Sequence, residues 1–305
     1  MTEREIFYLT ISLFTFLNTN EKKILCKNFS QCDELFRFNI KDLSILLGRS
    51  IRTKEKLGEA LKVKLDRSLK IIERYHIHFS SCFDTDFPRA LKKIPDAPFA
   101  IFSRGTKLTN AKKIAIVGTR APSGKGKQSA FDVAKEFTEK GYTVTSGMAL
   151  GIDSFAHKAA ISINAATIAV LACSVENLYP RINIPLARKI VNAGGSIVSE
   201  YPPETEALKF RFLERNRIVS GLSEGTVVIE APQGSGALST AAHASAQGKQ
   251  VFVFEQMLES PQNAGAKTLH AEVVKTVDEV IDIIHNKSKM HEAHGLFSYK
   301  ELDYE

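Results

Sequence analysis

Residues 112–137 read KKIAIVGTRAPSGKGKQSAFDVAKEF. The run Ile114-Ala115-Ile116-Val117 is apolar on both faces, as a strand covered on two sides must be. Gly118-Thr119-Arg120 turns the chain. Ser123 then stands at an N-cap position, and a helical segment follows. The same unit recurs at Thr143-Val144-Thr145, Thr167 to Leu171, Ser196-Ile197-Val198 and Thr226 to Ile229. Each run ends in a small-residue turn: SGMALGID, ACSVENLYPR, SEYPP and EAPQGSG after the first. This alternation predicts an α/β fold, an extended Rossmann-like, doubly wound and mostly parallel sheet over residues 111–285. In such a sheet the ligand site lies outside the carboxyl ends of the strands.

Outward from this region the pattern changes. Residues 1–75 place Ile6, Leu9, Thr10, Leu13, Phe16 and Leu17 at helical spacing. They predict a small all-α domain, of the sterile-alpha-motif or helix-hairpin-helix kind. Its role is open between packing or dimerisation and DNA binding. Residues 76–110 predict a strand, a short helix and a covering strand that pack on the sheet. Residues 286–305 predict a polar tail, too short for a folded winged helix. His291 and His294 within it make half of a metal site on one reading and a solvated tail on the favoured one.

The 305 residues carry a net charge of +7, with 44% hydrophobic and 25% charged residues. The basic excess is mild and spread over both main parts. It permits a nucleic-acid or phosphate partner without requiring one. The four cysteines form no C-x-x-C pair, which argues against a zinc knuckle and suits a reducing compartment. Early acids before a short apolar run argue against a signal peptide, and no run is long enough to span a bilayer. The expectation is a cytoplasmic protein with no membrane contact, no metal and no cofactor.

The turns carry the chemistry. After the first strand, Gly118, Thr119 and Ser123 lead into an exposed helix start, a place that attracts anions. Arg120, Lys125 and Lys127 surround it, and a phosphate cradle and a solvated turn are about equally good readings. A dinucleotide fingerprint is absent, because no third glycine follows Gly124 and Gly126 and the second strand ends in Ser146-Gly147. A P-loop motif is absent too. In the second turn Gly147 permits close backbone approach and is counted with the expected phosphate-cradle residues. Asp153 is expected to cap a helix start, and His157 is expected to pair with it in a surface or capping role. In the fifth turn Gly234, Ser235 and Gly236 predict a second anion cradle. Two cradles on one sheet edge favour a polyphosphate over a small acid.

The stretch Lys209-Phe210-Arg211-Phe212-Leu213-Glu214-Arg215-Asn216-Arg217 interleaves cations with rings. Cations neutralise phosphates and exposed rings stack on bases, which is how single strands are held without sequence readout. Arg211 and Arg215 share a helix face, whereas Arg217 is about 200° around from Arg215. A pair between Glu214 and Arg217 would make Arg217 structural. One of Phe210 and Phe212 is expected in the core and the other free to stack.

Taken in order, these motifs resemble the DNA-processing protein A (DprA/Smf) family. The resemblance rests on Asp86-Phe87-Pro88, Gly118-Thr119-Arg120, SGMALGIDSFAH, Tyr179-Pro180-Arg181, SEYPP, RNRIVSGLS and GSGALSTA, from about residue 84 to 255. It implies a single-stranded-DNA-binding protein, not an enzyme. Such a protein protects incoming strands in natural transformation, assists loading of the RecA recombinase and forms a homodimer. Carried over by motif, the DNA contacts are Arg120, Arg215 and Phe212, with Lys209, Arg211 and Lys125 nearby, and the full expected set of DNA-binding residues adds Lys127 and Arg217. Lys125 stands where the family has an aromatic residue, and Leu213 where it has proline.

Two other functions fit a sheet of this kind. One is a nucleotide-binding sensor. The other is an enzyme like the nucleoside-monophosphate phosphoribohydrolases, but no acid follows the glycines of the fifth turn to act as acid or base. For the dimer, Val273, Val277, Val280, Ile281 and Ile284 form a helical stripe that either makes a seam or covers the sheet.

Overall fold

The structure, a computed structural model, describes residues 1–287 except Lys56. Seven parallel strands form the body of one sheet: β3 (Lys113–Val117), β4 (Thr143–Ser146), β5 (Thr167–Val170), β6 (Ser196–Ser199), β7 (Gly225–Val228), β8 (Gln250–Phe254) and β9 (Glu272–Val274). The first five are the β-branched runs read from the sequence, and β8 and β9 extend the sheet beyond them. Two strands from the connecting segment, β1 (His78–Ser81) and β2 (Ala100–Gly105), add antiparallel to the far edge through β6. The order is β1-β2-β6-β5-β4-β3-β7-β8-β9. Residues 76–110 therefore do more than pack on the sheet. Their backbone joins its ladder, because Phe102 to Gly105 present free N–H and C=O groups to the open edge of β6.

Helices α1 to α5 (Glu3–Ser12, Thr19–Asn28, Cys32–Phe36, Ile40–Leu46 and Glu59–Arg74) precede the sheet. The first four are short, and three of these begin with a side-chain cap. Thr2 with Glu5, Asn18 with Glu21 and Asn39 with Asp42 each form a capping box. Such a cap contributes about 1 kcal/mol, enough to matter in a helix too short to stand alone. Their apolar faces do not close on themselves. Leu9, Leu13, Leu25 and Leu65 share one buried cluster with Phe99 and Phe102 of the sheet edge and with Leu186 and Ile190.

Between β1 and β2 lies α6 (Arg89–Lys92), and the crossovers carry α7 (Gly124–Glu139), α8 (Ile152–Ser162), α9 (Ile184–Asn192), α10 (Lys209–Leu222) and α11 (Gly236–Ala246). Helices α7 and α8 cover one face of the sheet: Val133, Ala134 and Phe137 pack with Ile114, Ile116 and Ala156. Helices α10 and α11 cover the other, where Ile218, Val219 and Ala241 pack with Ala115, Val117 and Val228. A short α12 (Glu255–Leu258) follows β8, and a last helix, α13, spans 277–287.

That last helix decides the fate of the apolar stripe. Val277, Val280 and Ile284 are buried in the cluster under α7. Ile281 is half-buried and only Val273, on edge strand β9, is exposed. The stripe covers the sheet and is not left over as a seam. Asn286 and Lys287, read as tail, continue this helix. His291 and His294 lie outside the described residues.

Candidate nucleic-acid interface

Strand β3 is the point where the chain changes direction across the sheet. It pairs with β4 on one side and β7 on the other, and successive strands diverge from it. The turns after β3, β4 and β7 therefore part and leave a crevice at their carboxyl ends. The crevice is a cleft of about 860 Å³, bordered by Gly118, Thr119 and Arg120 from the first turn and Gly147 from the second. Gly234, Ser235 and Gly236 border it from the fifth, and α10 supplies Lys209, Phe212 and Arg215.

The first of the two expected anion cradles is already filled. Glu230 stands two residues past the end of β7 and is fully buried. Its carboxylate accepts from the Ser123 N–H at 2.9 Å and the Ser123 Oγ at 2.7 Å, and from Ser260 Oγ at 3.0 Å. Ser123 Oγ in turn accepts from Gly126 N–H, so the start of α7 is capped and neutralised from within. A Cβ at position 126 would lie 2.2 Å from the Glu230 carboxylate, which is why only glycine serves there. This corrects the reading of Ser123 as a phosphate ligand: its hydroxyl and amide are spent on Glu230. Thr119 is buried as well, donating its N–H to the Glu230 carbonyl at 2.6 Å. Lys125 leans away from the cleft and donates to the Gln256 carbonyl at 2.6 Å. Lys127 is exposed on α7 and does not border the cleft.

The second cradle is open. Ser235 caps α11, accepting from Ala237 N–H at 3.3 Å. No carboxylate among the described residues hydrogen-bonds to this helix start, and apart from its chain neighbours and its own helix nothing stands within 4 Å of where a Cβ at Gly236 would be.

Helix α10 distributes its cations in three directions. Lys209 is exposed at the cleft mouth. Arg211 is half-buried, donates to the Glu206 carbonyl at 2.6 Å and lies over the Tyr201 ring at 5.1 Å and the Phe210 ring at 5.5 Å. Arg215 is only 4% exposed. Its guanidinium donates to the carbonyls of Gly147 and Val170 and to Asn216 Oδ1. Burial pushes its pKa down. It forms the floor of the cleft and ties the second turn to β5, a positioning role where the sequence pointed to a free contact. A Cβ at Gly147 would run into this guanidinium at 2.6 Å. Arg217 turns to the opposite side, pairing with Glu200 through both terminal nitrogens at 2.6 and 2.7 Å and with Asp96 at 3.2 Å. Its carboxylate partners are these two and not Glu214, whose carboxylate accepts from the Tyr201 hydroxyl. Arg217 is thus held as a structural ion pair, away from the group that the motif had joined it to.

Neither ring of the Phe-Arg-Phe motif is core. Phe210 is 53% exposed and Phe212 half-buried. Phe212 borders the cleft, carries the Arg120 guanidinium over its ring at 5.3 Å and meets the Tyr179 ring at 5.7 Å and 64°. Arg120 itself is exposed. In the sequence Tyr179 stands out only as part of the Tyr-Pro-Arg motif. Its partnership with Phe212 spans a crossover, so no local spacing could disclose it.

The two acidic and imidazole groups of the second turn are interior groups. Asp153 accepts from Gly147 N–H at 3.1 Å and Ala149 N–H at 3.2 Å, bracing the turn, and burial pushes its carboxyl pKa up. His157 is fully buried with Nδ1 2.8 Å from Thr167 Oγ1. It faces β5, not Asp153, and burial pushes its pKa down to about 3. The surface pair expected from their spacing does not form. Among the described residues no cluster of three or more His, Cys, Asp or Glu side chains is arranged to hold a metal ion, and no helix is long and apolar enough to cross a membrane.

The chain as a whole has counterparts among known proteins. The family model of DNA recombination-mediator protein A matches residues 78–288. The DNA processing protein DprA of Bacillus subtilis is 38% identical over 222 residues, covering 72% of this chain and 74% of its own length. The crystal structure of DNA processing protein A from Streptococcus pneumoniae superposes with a TM-score of 0.71 at 29% identity, covering 92% of this chain and 98% of that one. The Helicobacter pylori DNA processing protein A, whose structure is described for its single-stranded DNA binding mode, gives a TM-score of 0.61 at 30% identity over 70% of this chain and 98% of its own. With its mostly parallel sheet, its switch-point cleft and a family match over more than half its length, the chain belongs to the DNA recombination-mediator protein A family.

Proposed function

We propose that the chain binds single-stranded DNA in the switch-point cleft without sequence preference, and that it acts by binding and not by catalysis. The observation that carries this reading is the mouth of the cleft. There the Arg120 guanidinium lies over the Phe212 ring beside exposed Lys209, opposite the open start of α11 at Gly234, Ser235 and Gly236. Cations and helix N–H groups take phosphates, and a ring takes a base face, which every base offers. Asp153 and Glu230 are committed to backbone and serine donors, which supports holding a strand over cleaving one.

The description of the Helicobacter relative supports the choice of single strand over duplex. The resemblance to the family supports two further steps: the bound strand is protected in the cytoplasm and passed to a RecA-type recombinase, and two copies of the chain act together. A homodimer would let two clefts grip one strand and raise avidity without new contacts. Val277, Val280 and Ile284 are buried in the chain itself and would not form its interface.

Fluorescence anisotropy with labelled oligonucleotides tests the core of this reading. A single strand is expected to bind more tightly than the duplex of the same length, with affinity falling steeply as salt rises. A preference for duplex, or binding insensitive to salt, overturns it.

A further inference from the structure

We infer that Tyr179 is the base-stacking platform of the cleft, with Phe212 as the backing that fixes it and Arg120 in place. This deepens, and rests on, the single-strand reading above. Three aromatic side chains of the described residues stand well out of the surface: Phe83 at 42%, Tyr179 at 51% and Phe210 at 53% exposed. Phe83 is stacked on Tyr8 at 5.1 Å and 28°. Phe210 is covered by Arg211 and does not border the cleft. Tyr179 does border it.

Phe212 is less available than its position in the motif suggests. It is half-buried, the Arg120 guanidinium occupies one face of its ring, and Tyr179 abuts it. The contact between Tyr179 and Phe212 is edge-to-face, a favoured aromatic geometry that uses at most one face of either ring. Tyr179 therefore keeps a face for a base, with Arg120 and Lys209 in the same cleft to take the flanking phosphates.

The loop that carries Tyr179 is pinned. Asn183 donates its side-chain amide to the Met148 carbonyl at 2.8 Å and to Ser154 Oγ at 3.0 Å, and its N–H to the Pro180 carbonyl at 2.9 Å. Upstream, Cys173 Sγ donates to the Asn177 carbonyl at 3.0 Å. A ring held by its own loop loses little freedom when a base arrives, so more of the stacking energy appears as affinity.

The chain has no tryptophan, so Tyr179→Trp introduces a single indole reporter. Saturating oligothymidylate is expected to quench its emission. An abasic strand of equal length, at equal occupancy by anisotropy, is expected to leave it unchanged. Tyr179→Ala is expected to lower affinity for oligothymidylate on the order of ten-fold with the abasic strand little affected, and Tyr179→Phe to keep the parent affinity. Phe210→Ala, outside the cleft, is expected to change nothing. Saturable binding with unquenched indole emission overturns the inference, as does an equal loss on both strands in folded Tyr179→Ala, which would make the ring a wall of the cleft. Failure of the parent protein to bind any single strand is a separate result. It overturns the function proposed above and takes this inference with it.

Discussion

Helix α7 begins Ser123-Gly124-Lys125-Gly126, and helix α11 begins Ser235-Gly236-Ala237. Both have a serine cap, both follow a parallel strand, and both stand at the switch point of the sheet. Around α7 the sequence places three cations, so it looks the better anion site. The structure assigns the opposite roles. Glu230 brings a carboxylate under α7 and satisfies its cap, while α11 opens onto the cleft. A helix start offers roughly half a positive charge, and a single buried carboxylate is enough to consume it. The lesson is that an anion cradle is defined by what already occupies it, and a carboxylate from a neighbouring strand can turn a binding site into a structural joint.

Removing that carboxylate is expected to have the largest effect. Glu230→Ala leaves the Ser123 N–H, the Ser123 hydroxyl and the Ser260 hydroxyl facing a buried void, and is expected to lose about 2–4 kcal/mol of stability. Urea denaturation measures the loss. Added sulfate is expected to restore part of it in the variant and to do less for the parent, since only the variant has a vacant cradle. A Glu230→Ala protein as stable as the parent would mean that α7 does not need its internal anion, and the contrast between the helices would collapse.

Arg120→Ala comes next. It removes the guanidinium at the cleft mouth, where a charge-assisted phosphate contact of about 1.5–3 kcal/mol corresponds to a roughly 10- to 100-fold loss in affinity for single strands. Circular dichroism is expected to stay unchanged, and no single substitution in residues 1–85 is expected to weaken binding as much. Unchanged affinity in a folded variant would remove Arg120 from the interface.

Ser235→Asp makes α11 resemble α7 by supplying an acid at its cap. Aspartate caps a helix as well as serine does, so stability is expected to hold or rise slightly. Affinity for single strands is expected to fall on the order of ten-fold, because the new carboxylate competes with phosphate at short range. Thermal melting and anisotropy on the same sample separate the two effects. An affinity equal to the parent's would show that the strand does not use the start of α11.

The smallest effect is expected from Lys127→Ala. This side chain is exposed on the helix whose start is already neutralised, and it stands outside the cleft. A single solvated cation is worth little, so the expected loss is about two-fold and vanishes at high salt. A loss as large as that of Arg120→Ala would mean that the strand runs along α7 after all.

The same contrast runs through α10. Once the stretch is helical, the divergence of Arg215 and Arg217 around it is legible from spacing alone, since periodicity is a local property. What each arginine does is not. Arg215 meets carbonyls 45 and 68 residues earlier in the chain, and Arg217 meets a carboxylate 17 residues away and another on Asp96. Phe210 and Phe212 differ for a similar reason. Neither is core, and only the crossover that brings Tyr179 and Arg120 beside Phe212 places one of them at the cleft.

By itself the sequence determined five of the seven parallel strands, the capping serines of α7 and α11 and the edge on which a ligand site must lie. These follow from short-range rules: two-faced apolar runs, 3.6-residue periodicity and side-chain caps. Tertiary structure alone decided which cradle is open, which arginines are free and where the first two strands attach. Each of those depends on a hydrogen bond or ion pair near 3 Å between residues distant in the chain. Ser123 and Glu230, 107 positions apart, are the clearest case. A buried polar group must be satisfied by whatever the fold brings within reach, and no spacing along the chain states what that will be.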